Sequence, residues 1–318
     1  MIKRLLILLL VIEVLGVLAV AAGLRTWLPD DWPATVAVLT ALAGGVLVLL
    51  LVRMLIAANN FRISWRARSV PDAIHALNPL NPLTAARLFL HEFASTMLTS
   101  SWYMLRPVGL QWQPQARGLP VLLIHGYGCN SGYWRPMSDQ LRAAGINHYG
   151  IDLEPPGAAI DDFAPQVQAA VEHLCTVTGG PRVIILAHSM GGLVARAYLR
   201  RHGADRIARV ITLGTPHHGT VLADLGPGSN AVQMRCGSDW LGALAAFETA
   251  GDANLQRNLF CSIYSVHDNI VAPQNSSELP GARNLVFGAI GHVALGRHPE
   301  IVRCALAEIV STQQCDFV

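Results

Sequence analysis

The segment from Val183 to Gly192, VIILAHSMGG, holds the residue best placed for covalent chemistry. An apolar run of strand character leads into Ala187-His188-Ser189-Met190-Gly191 and then into a helical stretch from Leu193 to Arg201. A serine on a sharp strand-to-helix turn exposes its hydroxyl above the sheet, and small residues two before and two after it let strand and helix approach closely. Ala187 and Gly191 are those small residues. Such a serine becomes a nucleophile only with a base beside it and a carboxylate to orient that base. The histidines that follow are His202, His217, His218, His267, His292 and His298, and the carboxylates to weigh are Asp239, Asp252 and Asp268. His202 ends the helix after the serine, while His217 and His218 follow the next strand at once. His188 is expected to position neighbouring loops, and Asp152 to be a structural loop acid. The His217-His218 pair has no third ligand at a recognised spacing, so no metal is expected. Cys129 lacks the surroundings of a nucleophile.

With these residues in view, the chain resembles a bacterial lipase of the α/β-hydrolase superfamily over about Leu119 to Leu306. Its A-H-S-M-G form is similar to that of small Bacillus lipases. Ile124-His125-Gly126-Tyr127-Gly128 matches the family's H-G-x-x element, and Leu213-Gly214-Thr215-Pro216-His217-His218-Gly219-Thr220 matches a third lipase segment. The resemblance implies that the backbone amides of Tyr127 and Met190 form an oxyanion hole. It also implies the order serine, acid, histidine along the chain. His292 then fits best as base, in the glycine-rich GAIGHVAL loop after the last strand. Asp268, in SVHDNIVAP, fits best as acid, with Asp239 and Asp252 as competitors. The activity implied is that of a serine carboxylic-ester hydrolase, a lipase or esterase acting on lipid or other acyl esters through an acyl-enzyme, with no cofactor. A membrane-associated acyltransferase would use the same triad, and an inactive membrane scaffold would keep only the fold.

Those residues require a frame. From Leu119 onward short apolar runs alternate with helical stretches, which implies a mostly parallel sheet with helices on both faces. The strand candidates are Val121 to Ile124, Val183 to Leu186, Val210 to Leu213, Cys261 to Val266 and Leu285 to Phe287. Residues 221–258 interrupt the core strands and are expected to form a cap or lid. Its apolar side chains, Trp240 among them, would line an acyl pocket together with Tyr133 and Trp134. Cys236 and Cys261 could pair across this insertion in an oxidising compartment and would stay reduced in the cytoplasm.

The 318 residues carry a net charge of +2 and only 14% charged side chains, against roughly 25% in ordinary soluble domains. A nucleic-acid role lacks its basic patch. Mean hydropathy is +0.38, and its source lies in residues 1–60. Leu5 to Leu24 is apolar except for Glu13, and Ala34 to Val52 carries no charge. Each is long enough to cross a hydrocarbon core of roughly 30 Å. Arg25 to Pro33 would turn between them at the interface, giving a transmembrane helical hairpin. A cleaved signal peptide is the alternative for the first run. Lys3 and Arg4 before the hairpin, and Arg53, Arg62, Arg66 and Arg68 after it, place both ends inside. The expected location is the inner membrane of a bacterium, with residues 119–318 as a cytoplasmic catalytic domain. Residues 61–118 read as a linker with an amphipathic helix from about Leu83 to Leu105, capped by Asn81-Pro82. Its apolar face would hold Leu88, Phe89, Phe93, Met97 and Leu98, facing either lipid headgroups or the following domain.

Overall fold

The computed structural model describes residues 1–68, 79–116, 118–251 and 259–315. Seven strands, β1 (Leu110–Gln111), β2 (Val121–Ile124), β3 (His148–Ile151), β4 (Val183–His188), β5 (Ile207–Leu213), β6 (Phe260–Ser265) and β7 (Arg283–Phe287), form one sheet. Their order is β1-β3-β2-β4-β5-β6-β7. Only β1 runs antiparallel to its neighbour, Leu110 pairing with Tyr149; the other pairings are parallel. The central strands β2, β4 and β6 are buried along their whole length, because parallel strands carry helices on both faces.

The chain therefore packs two apolar layers. On one face α5 (Ala164–Thr178) and α6 (Met190–His202) bury Val167, Val171, Leu174, Leu193 and Val194. On the other, α4 (Arg135–Ala143) and α9 (Pro299–Cys315) bury Met137, Leu141, Ile301 and Ile309 around Trp134. Strands β1 and β3 carry no apolar run that would mark them in the sequence. β3 reads HYGI, with a polar residue and a glycine in four positions, and β1 has two residues.

Ahead of the sheet lie α1 (Ile2–Arg25), α2 (Ala34–Ala67) and α3 (Pro82–Leu98). The first two form an antiparallel pair whose approach depends on Gly45, where a Cβ would lie 2.5 Å from the Val17 carbonyl. Glu13, the one acid in the first apolar run, is paired with Arg53 on α2 at 2.5 Å. Only 11% and 17% of the most apolar stretches of α1 and α2 are buried, so these helices are not core. At 1.5 Å per residue the 34 residues of α2 extend well beyond one hydrocarbon thickness, and its last turns run onto the sheet domain.

Helix α3 begins as its sequence implies, the Asn81 side chain accepting from the Thr84 amide at 2.8 Å with Pro82 at the first position. A π-type turn, Thr99–Tyr103, follows it. Its orientation differs from the apolar-face expectation. The buried stripe is Leu88, Glu92, Ser95 and Thr99, while Phe89 stacks toward Phe61 of α2 and Leu98 is exposed. Residues 103–108 then lie against the domain. Asn130 donates to the Met104 carbonyl at 2.8 Å, and Gly132 approaches so closely that a Cβ would sit 2.2 Å from the Tyr103 carbonyl. Gly132→Ala should therefore lower unfolding stability by about 1 to 3 kcal/mol through overpacking against backbone. A wild-type thermal transition would contradict this joint.

Candidate active site

Ser189 lies between β4 and α6 with φ 54° and ψ −127°. A side-chain-bearing residue at positive φ is strained and persists only where its surroundings over-determine it. Here the surroundings do so. Its amide donates to the Leu213 carbonyl at 2.9 Å, and its carbonyl accepts from Gly192 N at 3.0 Å and Thr215 Oγ1 at 2.9 Å. Gly191 passes under the neighbouring strand, where a Cβ would lie 2.5 Å from the Ile124 carbonyl. The sharp turn thus requires glycine two residues after the serine and tolerates the fully buried Ala187 two before it.

Leu213, which holds the serine amide, is followed by Gly214, and this glycine leads to the other two residues. A Cβ on Gly214 would lie 3.1 Å from Asp268 Oδ2 and 3.3 Å from His292 Nδ1. Asp268 follows β6 and His292 follows β7, so both sit beyond the carboxyl ends of parallel strands, as Ser189 does. His292 Nδ1 donates to Asp268 Oδ2 at 2.7 Å, which leaves Nε2 as the basic nitrogen. The second carboxylate oxygen accepts from the amides of Ile270 and Val271, each at 2.8 Å. Asn269 Oδ1 accepts from the His292 amide at 2.9 Å. Burial draws the His292 imidazole down, but the charge and hydrogen bond of Asp268, with the charge of Glu92, prevail and hold it above 6.5.

Four supporting residues carry no signal of this role in the sequence motifs. The Asp268 carbonyl accepts from Ser64 Oγ of α2 at 2.6 Å and from Gln274 Nε2 at 3.0 Å. Glu92 of α3 accepts from the amides of Val293 at 2.9 Å and Ala294 at 3.0 Å. His125 shapes the turn after β2, accepting from Leu153 N at 3.0 Å through Nε2 while Nδ1 meets the Gly126 carbonyl. The available signal for Glu92 was a single acid inside an apolar helix.

The oxyanion-hole candidates lie at the serine. Gly126 is packed against it, a Cβ there falling 2.8 Å from Ser189 Cβ, and Tyr127 is the next residue. Met190 opens α6, so its amide has no intrahelical acceptor. A cavity of about 290 Å³ adjoins these residues, walled by His125, Tyr127, Met190, Pro227 and Gly228 and, from α1, by Ile2 and Leu5.

The expected acyl-pocket residues lie elsewhere. Trp134 is fully buried in the core behind the site. Tyr133 is buried and stacked on the His188 ring at 4.2 Å, where it supports the serine strand. Trp240 bonds Asp161 at 2.8 Å through its indole nitrogen and packs on the α5–α6 layer. Burial makes Tyr133 and Trp134 support rather than contact surface, and the half-buried Trp240 is committed to Asp161. The insertion contributes α7 (Ser229–Gln233) and α8 (Asp239–Ala250), with Leu225 and Phe247 exposed. An Arg196–Glu248 ion pair at 2.6 Å ties α8 to α6. Asp239 opens α8 rather than facing His292, and Asp252 lies outside the described residues. Cys236 is exposed and Cys261 buried in β6, and both are free thiols. Burial pushes the Cys129 thiol up to about 12. Asp152 accepts from the Ser131 amide at 2.7 Å, the structural role expected of it. His217 contacts Arg196, and His218 meets the Glu278 carbonyl at 3.1 Å.

Comparisons with known proteins agree with this architecture. A family model described as alpha/beta hydrolase fold matches residues 120–233. A triacylglycerol lipase of Pseudarthrobacter phenanthrenivorans is 32% identical over 115 residues, covering 33% of this chain and 35% of that protein. A pimeloyl-(acyl-carrier protein) methyl ester esterase of Vibrio cholerae is 30% identical over 115 residues, covering 34% of this chain and 41% of that one. The chain thus spans well under half the length of the curated relatives it matches. Among solved structures, the mature lipase of Bacillus licheniformis superposes with a TM-score of 0.54 at 20% identity, covering 62% of this chain and 94% of that one. Aspergillus fumigatus lipase B gives 0.51 at 18% identity, covering 62% and 55%.

Burial lowers the basicity of His125, His148, His188 and His217. Their folded forms are neutral, whereas the unfolded chain takes up protons below the ordinary value of 6.5. Stability from these four is complete above that pH and is lost as pH falls. The thermal midpoint should therefore drop between pH 7.5 and pH 5.5. A midpoint that rises on acidification would contradict the sign.

Proposed function

We propose that this α/β-hydrolase-fold chain, lipase-like in its relatives, is a membrane-anchored serine carboxylic-ester hydrolase acting on lipid acyl esters. The observation that carries the reading is the 2.7 Å Asp268–His292 hydrogen bond one residue across from the Leu213 carbonyl that pins the strained Ser189. Ser189 Oγ attacks the ester carbonyl, and His292 Nε2 takes its proton and returns it to the departing alcohol. Asp268 keeps the proton of the imidazole on Nδ1 and stabilises the imidazolium. The amides of Tyr127 and Met190 receive the negative oxygen of the tetrahedral intermediate, where one fixed donor is worth about 2.7 to 4 kcal/mol. Water, activated by the same His292, then cleaves the acyl-enzyme. The residues complete this cycle without a cofactor.

A lipid substrate is supported by the wall that α1 supplies to the cavity, Ile2 and Leu5. The α1–α2 pair, apolar and largely unburied, crosses the membrane on this reading. Trp27 and Trp32 are exposed in the turn between the helices. Near the other end, Arg68 lies 3.9 Å over Trp65 and Arg106 lies 3.5 Å over Trp102. Amphipathic rings and cations of this kind suit the two headgroup levels. Lys3 and Arg4 at the start of α1, with Arg53, Arg62 and Arg66 in the second half of α2 and Arg68 just past it, support both ends, and the catalytic domain, on the cytoplasmic side of a bacterial inner membrane.

Purified full-length protein in detergent should be labelled by a fluorophosphonate, and Ser189→Ala should abolish the label and lower kcat about 10⁴- to 10⁶-fold. An unlabelled wild type would end the proposal. Because His292 must be neutral to accept a proton, kcat/KM for a p-nitrophenyl ester should rise with pH. Its midpoint should lie above 6.5, in keeping with the upward displacement of the imidazole. A rate flat from pH 5 to 8 with chemistry limiting would contradict the role of His292.

A further inference from the structure

Two carboxylates approach the loop of His292, and they come from different layers of the molecule. Asp268 occupies Nδ1 of the ring. The second, Glu92, projects from α3 and is 1% exposed. Its two oxygens are used separately, Oε1 accepting from Val293 N at 2.9 Å and Oε2 from Ala294 N at 3.0 Å. These amides immediately follow His292 and open the turn Val293–Gly296. Amides in a first turn lack intrahelical acceptors and need an outside partner. On the preceding side Gly291 lies against the same side chain, where a Cβ would fall 2.5 Å from the Glu92 carboxyl. Glu92 therefore brackets His292 at the residue before it and the two residues after it.

Capping two amides does not by itself require a charge. A buried ionised carboxylate is costly unless hydrogen bonds and a counter-charge compensate it. Among the described residues no lysine or arginine forms an ion pair with Glu92. The positive group near it is the imidazolium that His292 becomes during turnover. We propose that Glu92 is a positioning residue of the hydrolase, which fixes the His292 loop through two amides and adds a second buried negative charge favouring the imidazolium. The inference rests on the Ser189–His292–Asp268 reading above. It is consistent with the way His292 is held above its ordinary basicity by Asp268 and Glu92 together against burial. Burial, with Asp268, pushes the Glu92 carboxyl above its ordinary value, a rise that the two amides and His292 offset only in part. The titratable groups facing His292 are Asp268 after β6, Glu92 on α3 and His188 at the end of β4. Those facing Glu92 are His292, Asp268 and the Tyr133 hydroxyl. His188 is held neutral by burial, so the acid limb of the rate profile reports His292 with its two carboxylates.

The test compares Glu92→Gln and Glu92→Asp with wild type, full-length and in detergent, using a p-nitrophenyl ester for kcat, KM and pH profile and a fluorophosphonate for the rate of Ser189 labelling. Glu92→Gln keeps the shape, removes the charge and turns one acceptor into a donor facing an amide. It should lower kcat about 10- to 100-fold with KM little changed, slow labelling in parallel, and move the acid limb to lower pH. The direction follows because loss of a negative neighbour favours the neutral imidazole. Glu92→Asp keeps the charge but shortens the reach, so kcat should fall while the acid limb stays near wild type. Wild-type kcat and acid limb in Glu92→Gln would overturn the proposal. So would a loss of kcat with the acid limb unmoved, which is the signature of packing alone. If Glu92→Gln does not fold cooperatively, Glu92→Met, which removes the charge without setting a donor against the amides, is read in its place by the same two criteria, and an unchanged kcat in Glu92→Asp overturns the assignment. A wild type that fluorophosphonate leaves unlabelled overturns the Ser189 reading itself, and this inference with it.

Discussion

A carboxylate–imidazole hydrogen bond held almost entirely away from water constrains the rest of this structure. Asp268 is 2% exposed and His292 4%, and an ionised carboxylate at such depth is stable only with every lone pair engaged. The fold meets that condition with groups from several segments. Ile270 and Val271 satisfy one carboxylate oxygen and His292 the other. Asn269 holds the His292 amide, and the His188 Nε2 meets the His292 carbonyl at 3.1 Å. Ser64 and Gln274 take the Asp268 carbonyl. The loops of Asp268 and His292 are thus fastened by α2, α3 and the serine strand together, so the helices ahead of the sheet are structural parts of the candidate site.

Local sequence carried much of this, for identifiable reasons. Ser189 was legible because a strand-turn-helix with small residues at fixed offsets has few other uses. Its positive φ and the close approach of Gly191 to Ile124 are the physical content of that pattern. Asp268 and His292 became legible through chain order at strand ends, and the two meet at 2.7 Å. Glu92 and Ser64 were not, because their contacts lie about 200 residues away along the chain and neither belongs to a local motif. Tyr133, Trp134 and Trp240 were misassigned for a related reason. An aromatic type says that a ring will be covered, and only the packed structure says whether ligand or core covers it.

The apolar N-terminal helices also border the candidate site. Ile2 and Leu5 in the first turn of α1 wall the cavity at Tyr127 and Met190, while Ser64 near the end of α2 reaches the Asp268 loop. The end of the helix pair opposite its turn thus touches the candidate site through both helices. On the proposed reading a lipid ester reaches Ser189 along α1 without leaving an apolar surface. The Glu13–Arg53 pair fits the same picture, since an ion pair between facing helices neutralises charge that lipid would disfavour.

The most direct measurement is a structure of the full-length protein in a lipid nanodisc after reaction with a long-chain alkyl phosphonate. Phosphorus should be bonded to Ser189 Oγ, its anionic oxygen within hydrogen-bond distance of the Tyr127 and Met190 amides, and His292 Nε2 should lie beside the ester oxygen. The alkyl chain should lie along Ile2 and Leu5. An unmodified Ser189, or an adduct whose oxygen faces neither amide and whose chain leaves the cavity walled by Ile2 and Leu5, would contradict this placement.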